Sequence, residues 1–237
     1  MDIKKDLAIA YRTLSRLKMD DHTYTHLSVR SVQDKNNFYI YPFGMLFEEM
    51  IYKDLLKVSL NGDIMEGEEY QYNQTGYTIH GSIYSKRNDV NVIFHLHTEA
   101  TVAISSIKEG LMPISQWALH FYEQINYHDY NSLTIKREEH EDRLVNDLGN
   151  KKILFLRNHG FIVCTNTIHE AMYYCYHLEK ACKTQIMTLA MNKEIIKPPH
   201  EICKKSYIDI NSFEQDLGKR DWLAWKRIDE KYMDSKN

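Results

Sequence analysis

Apolar positions along the chain repeat with two different periods, and the switches between them outline the fold. From residue 2 to 18, Leu7, Ala10, Tyr11, Leu14 and Leu17 recur at helical spacing and predict a first helix. Phe38-Tyr39-Ile40-Tyr41 is a short strand-like run ended by Pro42-Phe43-Gly44. Residues 54–60 lead into Asn61-Gly62-Asp63, a strong hairpin signal. A helical stretch over 77–87 precedes an apolar strand over 90–97, and a further helix is expected from about Thr98, a suitable N-cap. Residues 153–159 and 160–164 form the next strand region, broken at Asn158-His159-Gly160. The longest predicted helix spans 167–191, with Thr167 and Glu170 at capping-box spacing and Pro198-Pro199 closing it. Beyond about residue 200 the tail is polar, with Trp222 and Trp225 on one helical face.

Strands alternate with helices, yet the Asn-Gly turn requires antiparallel pairing. The pattern predicts one α/β domain with a mixed or antiparallel central sheet flanked by helices, its tail packed locally or on a neighbouring subunit. A length of 237 residues suffices for one sizeable core. A net charge of −3 with mixed signs gives no reason to expect nucleic acid or an anionic membrane as partner. No apolar stretch approaches the ~20 residues of a membrane span. Met1-Asp2-Ile3-Lys4-Lys5-Asp6 lacks the apolar core of a signal peptide, so a cytoplasmic protein is expected. The cysteines agree. Cys175 and Cys182 fall on one predicted helix about 10.5 Å apart, too far to bridge, and none of the four has zinc-knuckle or CxxC spacing.

The candidate chemistry lies in Val92-Ile93-Phe94-His95-Leu96-His97-Thr98. On a strand, His95 and His97 point to the same face, roughly 6 to 7 Å apart at Cα, close enough to grip one metal ion. His159 lies in a second apolar run, Ile153-Leu154-Phe155-Leu156-Arg157-Asn158-His159-Gly160. Three histidines with an open position suit a catalytic rather than a structural metal site. A lone strand histidine is more often a hydrogen-bonded structural residue; three within related motifs point to a metal.

The surrounding residues resemble the class II aldolase/adducin family from about residue 5 to 190. The likeness rests on Gly76 to Val90, His95-Leu96-His97-Thr98, Thr25-His26-Leu27-Ser28-Val29-Arg30, Tyr41-Pro42-Phe43-Gly44-Met45 and Arg157-Asn158-His159-Gly160. It implies a three-layer α/β/α sandwich around a mostly antiparallel, nine-stranded sheet, commonly a homotetramer, with residues 191–237 as a C-terminal helical extension of a single domain. It also implies a divalent metal, Zn2+ first with Mn2+ or Fe2+ as alternatives, on His95, His97 and His159. The chemistry implied is lyase-like cleavage or isomerisation of a small hydroxy-carbonyl substrate.

The chain departs from the sugar-phosphate aldolases at several positions. Their catalytic Glu or Asp falls on Gly76, which cannot transfer a proton, a function typically worth ~10²–10⁴-fold. Their phosphate-binding pairs fall on Gln74-Thr75 and on Thr25-His26, which the resemblance makes the substrate-binding candidates. The change points to an unphosphorylated or differently anchored substrate, with His26 either replacing the phosphate cradle by a charged or hydrogen-bonding contact or lying on the surface. Tyr130 matches a tyrosine that acts from a neighbouring subunit, and Glu99 is a candidate substitute carboxylate, though a first-turn glutamate is also favoured by the helix dipole. Arg30 reads as structural. Several motifs are closest to the adducin-type branch, so two alternatives stand beside the lyase: a non-catalytic interaction module, and an Fe(II)-dependent oxygenase on the same fold.

Overall fold

The computed structural model describes residues 2–132 and 137–235. Eight strands are found among them: β1 (His26–Arg30), β2 (Asn37–Ile40), β3 (Leu56–Ser59), β4 (Ile64–Glu66), β5 (Val92–Leu96), β6 (Ile125–His128), β7 (Ile153–Leu156) and β8 (Gly160–Thr165). They form a single sheet in the order β4-β3-β2-β1-β5-β8-β7-β6. Every neighbouring pair is antiparallel except β6 and β7. A parallel pair needs a crossover, and α5 (Arg137–Leu148) lies between those two strands in sequence. The Asn61-Gly62 turn joins β3 to β4, with Gly62 at φ +96°, as the hairpin signal requires.

Helices cover both faces. α2 (Gln74–Lys86) packs on α5 and β1, and α5 reaches β6 and β7. On the other face α1 (Ile3–Arg16) meets β1, while α3 (Glu99–Ser105) and α6 (Ile168–Ala190) meet β8. This is a three-layer α/β/α sandwich whose central strands β1, β5, β7 and β8 are buried along their whole length. Alternation along β1 explains the layering: Leu27 and Val29 pack with the apolar core, whereas His26 and Ser28 face His80 and Tyr84 of α2. The four cysteines are free and buried, consistent with packing thiols. Among the described residues, no helix is long and apolar enough to cross a membrane.

Local details differ from the sequence expectations for physical reasons. Thr98 holds the N-cap position of α3, but its hydroxyl bonds to Glu179 of α6 and Thr101 instead of capping the helix. Thr167 caps α6 by accepting from the Glu170 backbone at 3.3 Å; in place of the reciprocal bond to the Thr167 N–H, the Glu170 carboxylate accepts from Lys152 at 2.5 Å and from the Asn166 backbone at 3.5 Å. The tail folds as α4-adjacent α7 (His200–Ser212) and α8 (Lys219–Asp234), where α4 is the single turn Gln116–Leu119. α8 packs within the chain, on α1 and α6. Asp229 accepts from Arg12 Nε at 3.0 Å and Arg16 at 2.8 Å, and Trp222 is 1% exposed.

Candidate metal centre

β5 and the β7–β8 turn bring His95, His97 and His159 together. The same-face geometry of i and i+2 is realised, with His95 Nε2 and His97 Nε2 2.8 Å apart. His159 reaches them from the turn, its ring centroid 4.9 Å from that of His95 and 4.5 Å from that of His97. One ring nitrogen from each lies within 4.8 Å of the others. Two backbone features make the turn possible. Asn158 adopts φ +59°, a left-handed conformation that asparagine tolerates. At Gly160 a Cβ would collide with the Leu96 carbonyl oxygen and lie 3.1 Å from the His97 ring, so only glycine lets the turn close on the end of β5.

The second nitrogens fix the chemistry of the first. His95 Nδ1 lies 2.9 Å from the Phe161 carbonyl oxygen and His97 Nδ1 lies 3.0 Å from the Asp21 carboxylate. With a carbonyl and a carboxylate oxygen accepting from Nδ1, each imidazole carries its lone pair on Nε2. Those two lone pairs face each other across 2.8 Å, a repulsive arrangement that a shared cation relieves. Protonation is an unfavourable substitute. Burial pushes the His95 and His97 pKa values below the usual imidazole range, Asp21 opposing the shift at His97. Burial followed by repulsion from His97 takes His159 down to about 4. The donor set therefore fits a divalent metal bound by neutral nitrogen. Asp21 escaped the sequence reading. A carboxylate behind a metal-binding histidine is a common support, but nothing in the intervening chain marks this one.

The remaining sequence candidates are distributed around this cluster. His26, opposite His95 in the β1–β5 register, lies 4.8 Å from it between ring centroids and is buried. Thr25 is buried too, and its hydroxyl has no hydrogen-bond partner among the described residues. Gln74 is exposed at the start of α2, and the Thr75 hydroxyl donates to Asn73 Oδ1 at 2.8 Å, within the helix cap. Glu99 is exposed in the first turn of α3, and Tyr130 is 56% exposed after β6. Arg30 is structural: it donates to the carbonyls of Val90, Lys35 and Tyr84 and stacks on the Tyr84 ring. The histidine set thus comes together within one chain, whereas no hydrogen bond among the described residues joins Glu99 or Tyr130 to it.

Comparison with known proteins places this arrangement. A family profile described as "Class II Aldolase and Adducin N-terminal domain" matches residues 5–186. The chain belongs to that family. Among class II aldolase/adducin relatives, a Caulobacter vibrioides protein provisionally named aldolase class 2 protein is 39% identical over 189 residues, covering 80% of this chain and 73% of its own. Rat alpha-adducin is 39% identical over 187 residues, 78% of this chain but 25% of the adducin. An aldolase II superfamily protein from Pseudomonas syringae superposes with a TM-score of 0.92 at 34% identity, covering 98% of this chain and 93% of that one. That superposition takes in the C-terminal helices as well as the profile-matched core.

Proposed function

We propose that this chain is a metal-dependent enzyme that cleaves or isomerises a small hydroxy-carbonyl compound by lyase-like chemistry, with zinc held by His95, His97 and His159. The two Nε2 lone pairs directed at each other support this most strongly, because an interaction scaffold has no use for that repulsion. When bound, the metal supplies a Lewis acid for the substrate carbonyl. The protein keeps the three imidazoles neutral by burial and fixes two of them through Phe161 and Asp21. Three neutral ligands, with the single Asp21 carboxylate behind His97, would leave a bound divalent metal with net positive charge, which favours an anionic, chelating substrate. Thr75 spends its hydroxyl on the helix cap and Gln74 faces solvent, which supports a substrate without a phosphate at this position. Glu99 and Tyr130 would handle protons, Tyr130 from a neighbouring copy in a cytoplasmic homotetramer. The exposed apolar side chains of Met187, Met191 and Ile196 support such an assembly.

The test is solvent exchange. Zinc-loaded protein in D2O, given small hydroxy-aldehydes and hydroxy-ketones, exchanges the hydrogen next to the carbonyl by proton NMR, and His97→Ala does not. Absence of exchange across such a panel by a fully metal-loaded protein contradicts the proposal. The likeness to alpha-adducin favours a second reading, a non-catalytic interaction module. In that case His97→Ala leaves partner binding untouched while exchange is absent in both proteins. An iron-dependent oxygenase would instead consume oxygen when loaded with iron and not with zinc.

A further inference from the structure

His26 sits beside the candidate metal centre in a space that exists because residue 76 is glycine. A Cβ at Gly76 would lie 2.8 Å from His26 Cδ2 and 3.1 Å from its Nε2, so any larger residue would push the imidazole out. Gly76, His80 and Tyr84 follow at four-residue intervals and share one face of α2. That face lies against His26 and Ser28, which share one side of β1 with Arg30, itself stacked on the Tyr84 ring. The contacts form a continuous chain. His26 Nδ1 is 2.8 Å from His80 Nε2, His80 Nδ1 meets Ser28 Oγ, and Ser28 Oγ is 2.9 Å from the Tyr84 hydroxyl. Tyr84 in turn reaches the Asn91 carbonyl at 3.3 Å.

All four side chains are buried, His26 at 2% exposure. Buried polar groups of this kind are costly unless satisfied, and a connected set holds its members in fixed orientations. With Nδ1 committed to His80, the ring edge bearing Nε2 is turned toward the Gly76 side and makes no hydrogen bond among the described residues. One nitrogen of this buried imidazole is thus anchored, and the other lies beside the space that the missing Gly76 side chain leaves open.

We infer that His26 contacts the substrate, its Nε2 bonding an oxygen of the small chelate held at the histidine cluster, while His80, Ser28 and Tyr84 act as positioning residues. The inference rests on the metal-centre reading above and adds the group that selects the ligand beside the metal. It assigns to β1 the polar contact that no side chain at position 76 can supply. Gly76 serves by absence: it makes room for His26.

The test uses the full chain loaded with Co2+, whose visible absorption reports the ligand shell, and acetohydroxamate as a small chelating probe. His26→Ala is expected to bind cobalt to the same content with the same probe-free spectrum, and to bind acetohydroxamate about tenfold more weakly. His26→Gln, which keeps a donor, recovers part of that loss. Gly76→Ala, which displaces the ring without removing it, matches the His26→Ala loss, and the double variant is no worse than His26→Ala alone. Ser28→Ala weakens the probe less and has no effect once His26 is absent. Three results overturn the inference: undiminished probe affinity in His26→Ala, additive losses in the double variant, or an altered probe-free spectrum that makes His26 a metal ligand. If His26→Ala fails to fold, Gly76→Ala and His26→Gln carry the same contrast. Failure of the native protein to take up cobalt defeats the metal-centre reading and this inference with it; native uptake with unaffected variants defeats this inference alone.

Discussion

Gly160 decides whether His159 can approach His97, since a methyl group there meets the Leu96 carbonyl and the His97 ring. Gly160→Ala is expected to lower the unfolding free energy by about 1–3 kcal/mol in urea titrations, as overpacking commonly does, and to reduce metal retention. Native-like stability would place the turn elsewhere. Asp21 makes a separable prediction. Asp21→Asn keeps the shape but weakens the hold on the His97 N–H, so metal affinity measured against a competing chelator should fall about 10–100-fold. A change below about twofold would show that Asp21 only decorates the loop. The three histidines were legible in the sequence because strand periodicity places His95 and His97 together and a related motif supplies His159. Asp21 and the His26–His80 contact were not. They join residues 76 and 54 positions apart, distances over which neither periodicity nor capping chemistry carries information.

Among the elements, α1 and α6 were readable because their apolar faces repeat over three turns or more. β6 was not: three of its four residues are only half-buried, so an edge strand carries little hydrophobic signal. The charged α5 was missed for the same reason, its packing against α2 leaving a mostly polar sequence. The tail was anticipated as helical, but its partner was not. Asp229 of α8 is enclosed by Arg12 and Arg16 of α1, so Asp229→Ala leaves cationic side chains without their carboxylate and should cost about 3–5 kcal/mol in urea. A loss below about 1 kcal/mol would mean α8 is docked by its apolar face alone. Helix packing also sets a pH dependence. Burial, and then repulsion from the stacked His177, takes His120 from the ordinary value near 6.5 down to about 4. The unfolded chain then binds a proton that the folded one refuses. Stability is full above about pH 6.5 and falls as pH drops toward about 4. His120→Asn should flatten part of the decline in urea midpoint between about pH 7 and pH 5. An unchanged decline would remove His120 from the account.

Across the whole molecule, the sandwich presents the histidine cluster where β5 ends and the β7–β8 turn returns, with α2 covering the adjacent face of β1. The central sheet was legible as α/β with antiparallel pairing; its strand order came only from long-range pairing that local pattern does not encode. A resident metal would couple the pieces, because ligands from β5 and the β7–β8 turn must stay together to hold it. The most direct measurement is the metal content of protein purified without added metal, by plasma mass spectrometry, beside His97→Ala. The account predicts close to one equivalent of a divalent transition metal, zinc foremost, in the native protein and little in the variant. Native protein that is empty and refuses zinc, manganese and iron would contradict the metal centre and the enzyme reading built on it.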